Sequence, residues 1–144
     1  MRRGLIPIML ILAACAPQDI GPSSGKARFS EYPTVLFDSF RAFCTGPTRT
    51  FQSTNPNTAE CRELMPPRIT AAFILEYTGV PEDLPRLVVR FRADPESDTY
   101  LVTNDIFINV PQRTGGPRQV PYQDARLRRQ LDVLYINAGG VPEA

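Results

Sequence analysis

Histidine and tryptophan are absent from the 144 residues, and lysine occurs once, at Lys26. The lack of histidine removes Ser-His and Cys-His catalytic pairs and the commonest metal ligand together. With a single lysine in a Gly/Ser-rich stretch, a Ser-Lys dyad is not expected. Cysteine is scarce too, at three residues, which is too few for a thiolate metal site without histidine. No Gly-x-Ser-x-Gly elbow, Walker loop, dinucleotide fingerprint or calcium-loop spacing occurs. No apolar run reaches the roughly 20 residues that a membrane-spanning helix needs. The chain is therefore expected to be non-catalytic and to bind neither metal nor cofactor.

What is present begins with Arg2 and Arg3, an apolar run from Leu5 to Leu12, and then Leu12-Ala13-Ala14-Cys15. A charged start, a short apolar centre and small residues before a cleavage point form the plan of an export signal. The last four residues resemble the lipobox of bacterial lipoproteins. The resemblance implies that residues 1–14 are removed and that Cys15 becomes the acylated first residue. Two or three acyl chains at roughly 0.8 kcal/mol per buried methylene anchor a protein firmly. In that family Asp after the cysteine favours the inner membrane. Ala16 stands here, which implies an outer-membrane location facing the periplasm.

Without residues 1–14 the chain has 14 basic and 15 acidic side chains, a balance that argues against nucleic acid as a partner. Fifteen of the 16 basic residues are arginine. Codon bias explains this more simply than selection for bidentate anion contacts. Residues 15–29 read as the lipidated cysteine and a Pro/Gly/Ser tether, and residues 30–144 as one globular domain.

Within that domain, Ser30 to Cys44 reads as a helix with Leu36, Phe37, Phe40, Phe43 and Cys44 on one stripe. Residues 45–56 read as a polar loop. Asn57 to Met65 reads as a short helix, with Asn57 and Glu60 at capping-box spacing and Pro66-Pro67 as its stop. Arg68 to Thr78 fits either a strand or a helix, and its β-branched and aromatic residues favour a strand. Arg86 to Ala93 and Thr99 to Val110 alternate as an antiparallel pair, with 94–98 as the turn and Asn104-Asp105 as a second candidate turn. Residues 111–120 read as a Pro/Gly loop. Tyr122 to Ala138 reads as a helix stopped by Gly139-Gly140. The expected fold is a small α+β domain: an antiparallel sheet of two to four strands against about three helices.

Cys44 and Cys61 fall on the apolar faces of two neighbouring expected helices. In an exported protein they are expected to form a disulfide, worth about 3 kcal/mol for a loop of this length. The other candidates carry charge. Arg113, Arg118, Arg126 and Arg129, with Arg128 beside them, stand against Asp124 alone. They form a candidate anion or lipid-headgroup site, or else a solvated face with Asp124 paired to Arg128. Glu76 and Asp105, flanked by apolar residues, are the carboxylates expected to be partly buried. As a pair they could serve as acid and base of a hydrolase, and salt bridges to Arg90 or Arg92 across the sheet would account for them more simply. The leading expectation is a lipid-anchored envelope protein that binds a protein partner.

Overall fold

The computed structural model describes residues 25–143; Cys15 and the lipobox lie outside the described residues. Among the described residues seven strands form one antiparallel sheet, and three helices accompany it. The expectation of two to four strands is therefore corrected: the fold is dominated by its sheet. The elements are β1 (Lys26–Phe29), α1 (Thr34–Phe43), β2 (Arg49–Asn55), β3 (Thr58–Leu64), α2 (Pro67–Glu76), β4 (Arg86–Glu96), β5 (Thr99–Val110), β6 (Arg118–Pro121), α3 (Ala125–Asn137) and β7 (Val141–Pro142).

The β4–β5 hairpin is the centre. Its ladder runs from Arg86↔Asn109 to Glu96↔Thr99, so β5 is unbroken at Asn104-Asp105. Asp94, Pro95 and Glu96 lie in β4, and the turn is confined to Ser97 and Asp98, with Ser97 at φ 49°. On the β4 side, β3 and then β2 extend the sheet. The other flank of β5 is shared. There β1 pairs with residues 100–103 and β6 with residues 107–110, so the two short strands lie end to end. The last four residues of the stretch expected to be tether are thus a strand, with Ala27 and Phe29 in the core.

The segment 57–65 is strand β3 rather than a helix. Alternation explains it: Ala59 and Cys61 face the core, while Glu60 and Arg62 face the other way. The Asn57 signal belongs to a hairpin turn, in which the Asn55 Oδ1 accepts from the Asn57 N–H at 2.8 Å. Conversely, 67–76 is helix α2, against the expected strand. Pro67 occupies its first turn, where a missing N–H costs nothing, so the proline pair opens this helix. The Thr70 hydroxyl donates back to the carbonyls of Met65 and Pro66. The polar stretch expected as a loop contains β2, the sheet's edge, whose Phe51 packs against the core.

Helices α1 and α3 cover one face of the sheet. The Asp124 carboxylate caps α3 by accepting from the N–H groups of Arg126 and Leu127. Gly139, at φ +87°, closes it, and a Cβ at Gly140 would come within 2.4 Å of the Phe29 ring. A chain of aromatic rings ties five elements together: Phe51, Phe40, Phe91, Tyr135 and Phe29, with centroids 4.7–6.2 Å apart and edge-to-face geometry. The Cys44–Cys61 disulfide joins the end of α1 to β3, with Cα atoms 5.6 Å apart. The pairing is as expected, and the second cysteine stands on a strand.

Candidate functional site

The face of the sheet opposite α1 and α3 carries ionic rows. Cross-strand partners share a face, so Glu60, Arg90 and Asp105 form one row and Arg62, Val88 and Phe107 the next. Glu60 is buried on this face, its side chain 8% exposed. Its carboxylate accepts from Arg62 Nε and Nη2 at 2.9 and 2.8 Å and from Arg90 Nε at 2.7 Å. Burial pushes its pKa up, but the hydrogen bonds and charge of the two guanidiniums outweigh this and hold it below the usual carboxylate range. The Arg90 guanidinium also lies over the Phe107 ring, 4.7 Å from its centroid.

Between β1 and β6 the second flank of β5 is interrupted. The Asn104 N–H donates to the Gly25 carbonyl at 2.8 Å, and the Tyr122 N–H donates to the Ile106 carbonyl at 3.1 Å. At this interruption a cavity of about 460 Å³ opens, with Arg90, Asn104, Asp105, Phe107, Gln119 and Arg128 in its wall. Asn104 is 9% exposed; its Nδ2 donates to the Tyr135 hydroxyl at 2.9 Å, and its Oδ1 has no hydrogen-bond partner among the described residues. Burial pushes the Tyr135 hydroxyl pKa up, and the hydrogen bond it accepts from Asn104 opposes that shift without overcoming it. The sequence did not bring Arg90 and Asp105 together with Arg128, because the place is made by two strands ending on the same flank of a third.

The arginines expected to form an anion site are placed as follows. Arg113 is exposed in the loop before β6. Arg118, on β6, lies over the Tyr77 ring, 5.0 Å from its centroid. Arg126 lines a separate depression with Phe43, Arg49 and Glu63, and Arg129 is exposed on α3. Of the segment, Arg128 reaches the 460 Å³ cavity, and its Nη2 donates to Gln123 Oε1 at 3.3 Å. Asp124 caps its helix instead of pairing with Arg128.

Glu76 and Asp105 are both exposed, Asp105 with 50% of its side chain, which corrects the expectation of partial burial. Asp105 lies 3.7 Å from Arg92 Nη2, and Glu76 is not part of the cavity that Asp105 lines.

A second surface is apolar. A groove of about 760 Å³ beside α2 is lined by Leu64, Met65, Pro67, Ala71, Ile74 and Leu84. Next to it Leu75 is 81% exposed, and Ile69 and Leu84 are also exposed. Among the described residues no group of three or more Cys, Asp or Glu is placed to hold a metal ion, and no helix is long and apolar enough to cross a membrane.

Compared with known proteins, the chain matches no family model, no curated protein and no solved structure.

Proposed function

We propose that this protein is held on the bacterial cell envelope by acyl chains on Cys15, at the outer membrane, and acts there by binding a protein partner rather than by catalysis. The observation that carries the anchor is the Leu12–Cys15 box behind a charged and then apolar start. The cysteine count supports it. With Cys44 and Cys61 joined, Cys15 is the cysteine left over, as a lipid-bearing residue must be. A disulfide also suits a compartment outside the reducing cytosol. The binding role is supported by the exposed apolar surface around Leu75, since surface of this kind marks contact sites.

Cys15→Ser should release the domain from membranes or block its processing while the Cys44–Cys61 bond still forms. A variant that stayed processed and membrane-bound in the wild-type fraction would end the lipoprotein reading. For the partner, a photocrosslinking residue at Leu75 in intact cells should trap one discrete protein. A yield no greater than at the exposed Glu82 would end the binding role.

A second reading, an anion- or headgroup-binding module, is favoured by one observation: Arg128 from the arginine-rich segment and Arg90 from the sheet line one cavity.

A further inference from the structure

The cavity on the flank of β5 is lined by groups of both signs, and the obvious pair among them is not made. Arg90 and Asp105 stand directly opposite each other on β4 and β5, the position at which opposite charges normally join. Instead the Arg90 Nε is spent on Glu60, and the guanidinium is held flat over Phe107. Asp105 is left with a loose 3.7 Å approach to Arg92 Nη2 and is half exposed. Arg90 is thus fixed in place by two contacts, and a carboxylate about one strand spacing away stays open to the cavity.

The third charge comes from α3. A methyl built on Gly25 would lie 3.5 Å from Asn104 Oδ1 and 3.9 Å from Arg128 Nη1, so the amide and this guanidinium both approach Gly25, and both residues line the cavity. Asn104 Oδ1 is itself buried and has no donor among the described residues. Two guanidiniums, one half-exposed carboxylate and one buried acceptor do not suit a simple polyanion, which Asp105 would repel. They suit a molecule with anionic oxygens at one end and a hydrogen-bond donor of positive charge at the other.

We propose that this cavity binds a small zwitterion, with its anionic oxygens between Arg90 and Arg128 and its ammonium beside Asp105. This deepens the anion-binding reading of the same cavity by assigning the counter-charge. An α-amino acid and a phosphoethanolamine group each carry an ammonium a few covalent bonds from their anionic oxygens. A cavity of about 460 Å³ accommodates either. The chemistry therefore has two sources, a free amino acid and a lipid headgroup.

Calorimetric titration of the full chain in detergent tests this with L-alanine, glycerophosphoethanolamine, acetate and ethylammonium. At least one zwitterion should bind about tenfold more tightly than either half-molecule. Asp105→Asn should erase that advantage and leave acetate binding unchanged, while Arg128→Gln should weaken zwitterion and acetate alike. The Asn104 side-chain amide resonance should shift on titration in the wild type, and circular dichroism checks that each variant is folded. Binding of L-alanine alone supports the site and makes its ligand a free amino acid. Tighter binding of glycerophosphoethanolamine supports it and makes the ligand a headgroup. If acetate binds as tightly as both zwitterions, the zwitterion proposal falls and the anion reading stands. If nothing binds at about 10 mM, both fall.

Discussion

On the face of the sheet beneath α1 and α3, Phe91 is fully buried and meets the rings of Phe40 and Tyr135 at 4.7 and 5.4 Å. One residue earlier in the same strand, on the opposite face, Arg90 holds a buried carboxylate and covers Phe107 with its guanidinium. The first face gains from apolar area removed from water, which does not depend on protonation. The second gains from hydrogen bonds between charges, which depend on protonation and are worth less wherever water reaches them. The difference separates two tasks. The helix-covered face holds the fold together, and the ionic face is free to meet a solute.

If that division is right, the largest loss of stability must come from the aromatic chain. Phe40→Ala removes a ring that contacts both Phe51 and Phe91 and leaves a cavity between α1 and the sheet. We expect it to cost about 3–5 kcal/mol in denaturant unfolding, a large part of the total stability of a domain this size. An equal loss from a substitution on the ionic face would break the comparison. Reduction of the disulfide should come next. It closes a 17-residue separation between α1 and β3, and opening it should cost about 3 kcal/mol by the chain-entropy argument. The midpoint of urea unfolding with and without reductant measures it.

The same division explains what the sequence made legible. Apolar stripes with a clear period marked α1, α3 and the β4–β5 hairpin, which together supply most of the core. Strands that carry little of that signal were hidden. Within β2 only Phe51 packs against the core, and β1 is four residues long, so neither shows a period. They are strands because β3 and β5 offer them unpaired backbone, a tertiary effect that local propensity does not contain. In β3 the alternation was present, but Asn57 suggested a helix cap while acting in a turn. In the segment of α2, Thr70, Phe73, Ile74, Tyr77 and Thr78 suggested a strand, and the outcome was decided by Pro67 in the first turn. The cavity was the least legible feature. Its residues come from three strands and a helix, and the interruption between β1 and β6 that opens it leaves no local trace.

One polar contact crosses into the apolar face and sharpens the comparison. Tyr135, fully buried, accepts a hydrogen bond from Asn104 Nδ2 at 2.9 Å. Tyr135→Phe leaves that amide without its acceptor, in a residue whose Oδ1 already has no partner among the described residues. The expected cost is about 1–3 kcal/mol, the desolvation of a buried polar group. Replacing both residues, as Tyr135→Phe with Asn104→Leu, should recover most of the loss, because no polar group then remains unmet. A double variant as unstable as the single one would show that the amide is held by something other than the tyrosine.

The smallest of these effects belongs to Glu60, and it alone depends on pH. Its carboxylate is buried, but its partners Arg62 and Arg90 are 33% and 24% exposed, so water weakens the pairs. We expect Glu60→Gln to cost about 1–2 kcal/mol at neutral pH. The sign of the pH effect follows from the pKa. The two guanidiniums lower it in the folded state relative to the unfolded chain, so the unfolded chain binds the proton more readily. The stabilisation is therefore complete above the ordinary glutamate value, about 4.3, and is lost as the pH falls through the lower folded value. Through neutral pH down to about pH 5, wild type and Glu60→Gln should keep a constant difference in unfolding free energy. Below that window the wild type should fall faster and the two curves converge, since a protonated Glu60 resembles the glutamine. Parallel curves into the acid range would place the pH sensitivity of this face elsewhere, and the burial of Glu60 among arginines would then serve packing alone.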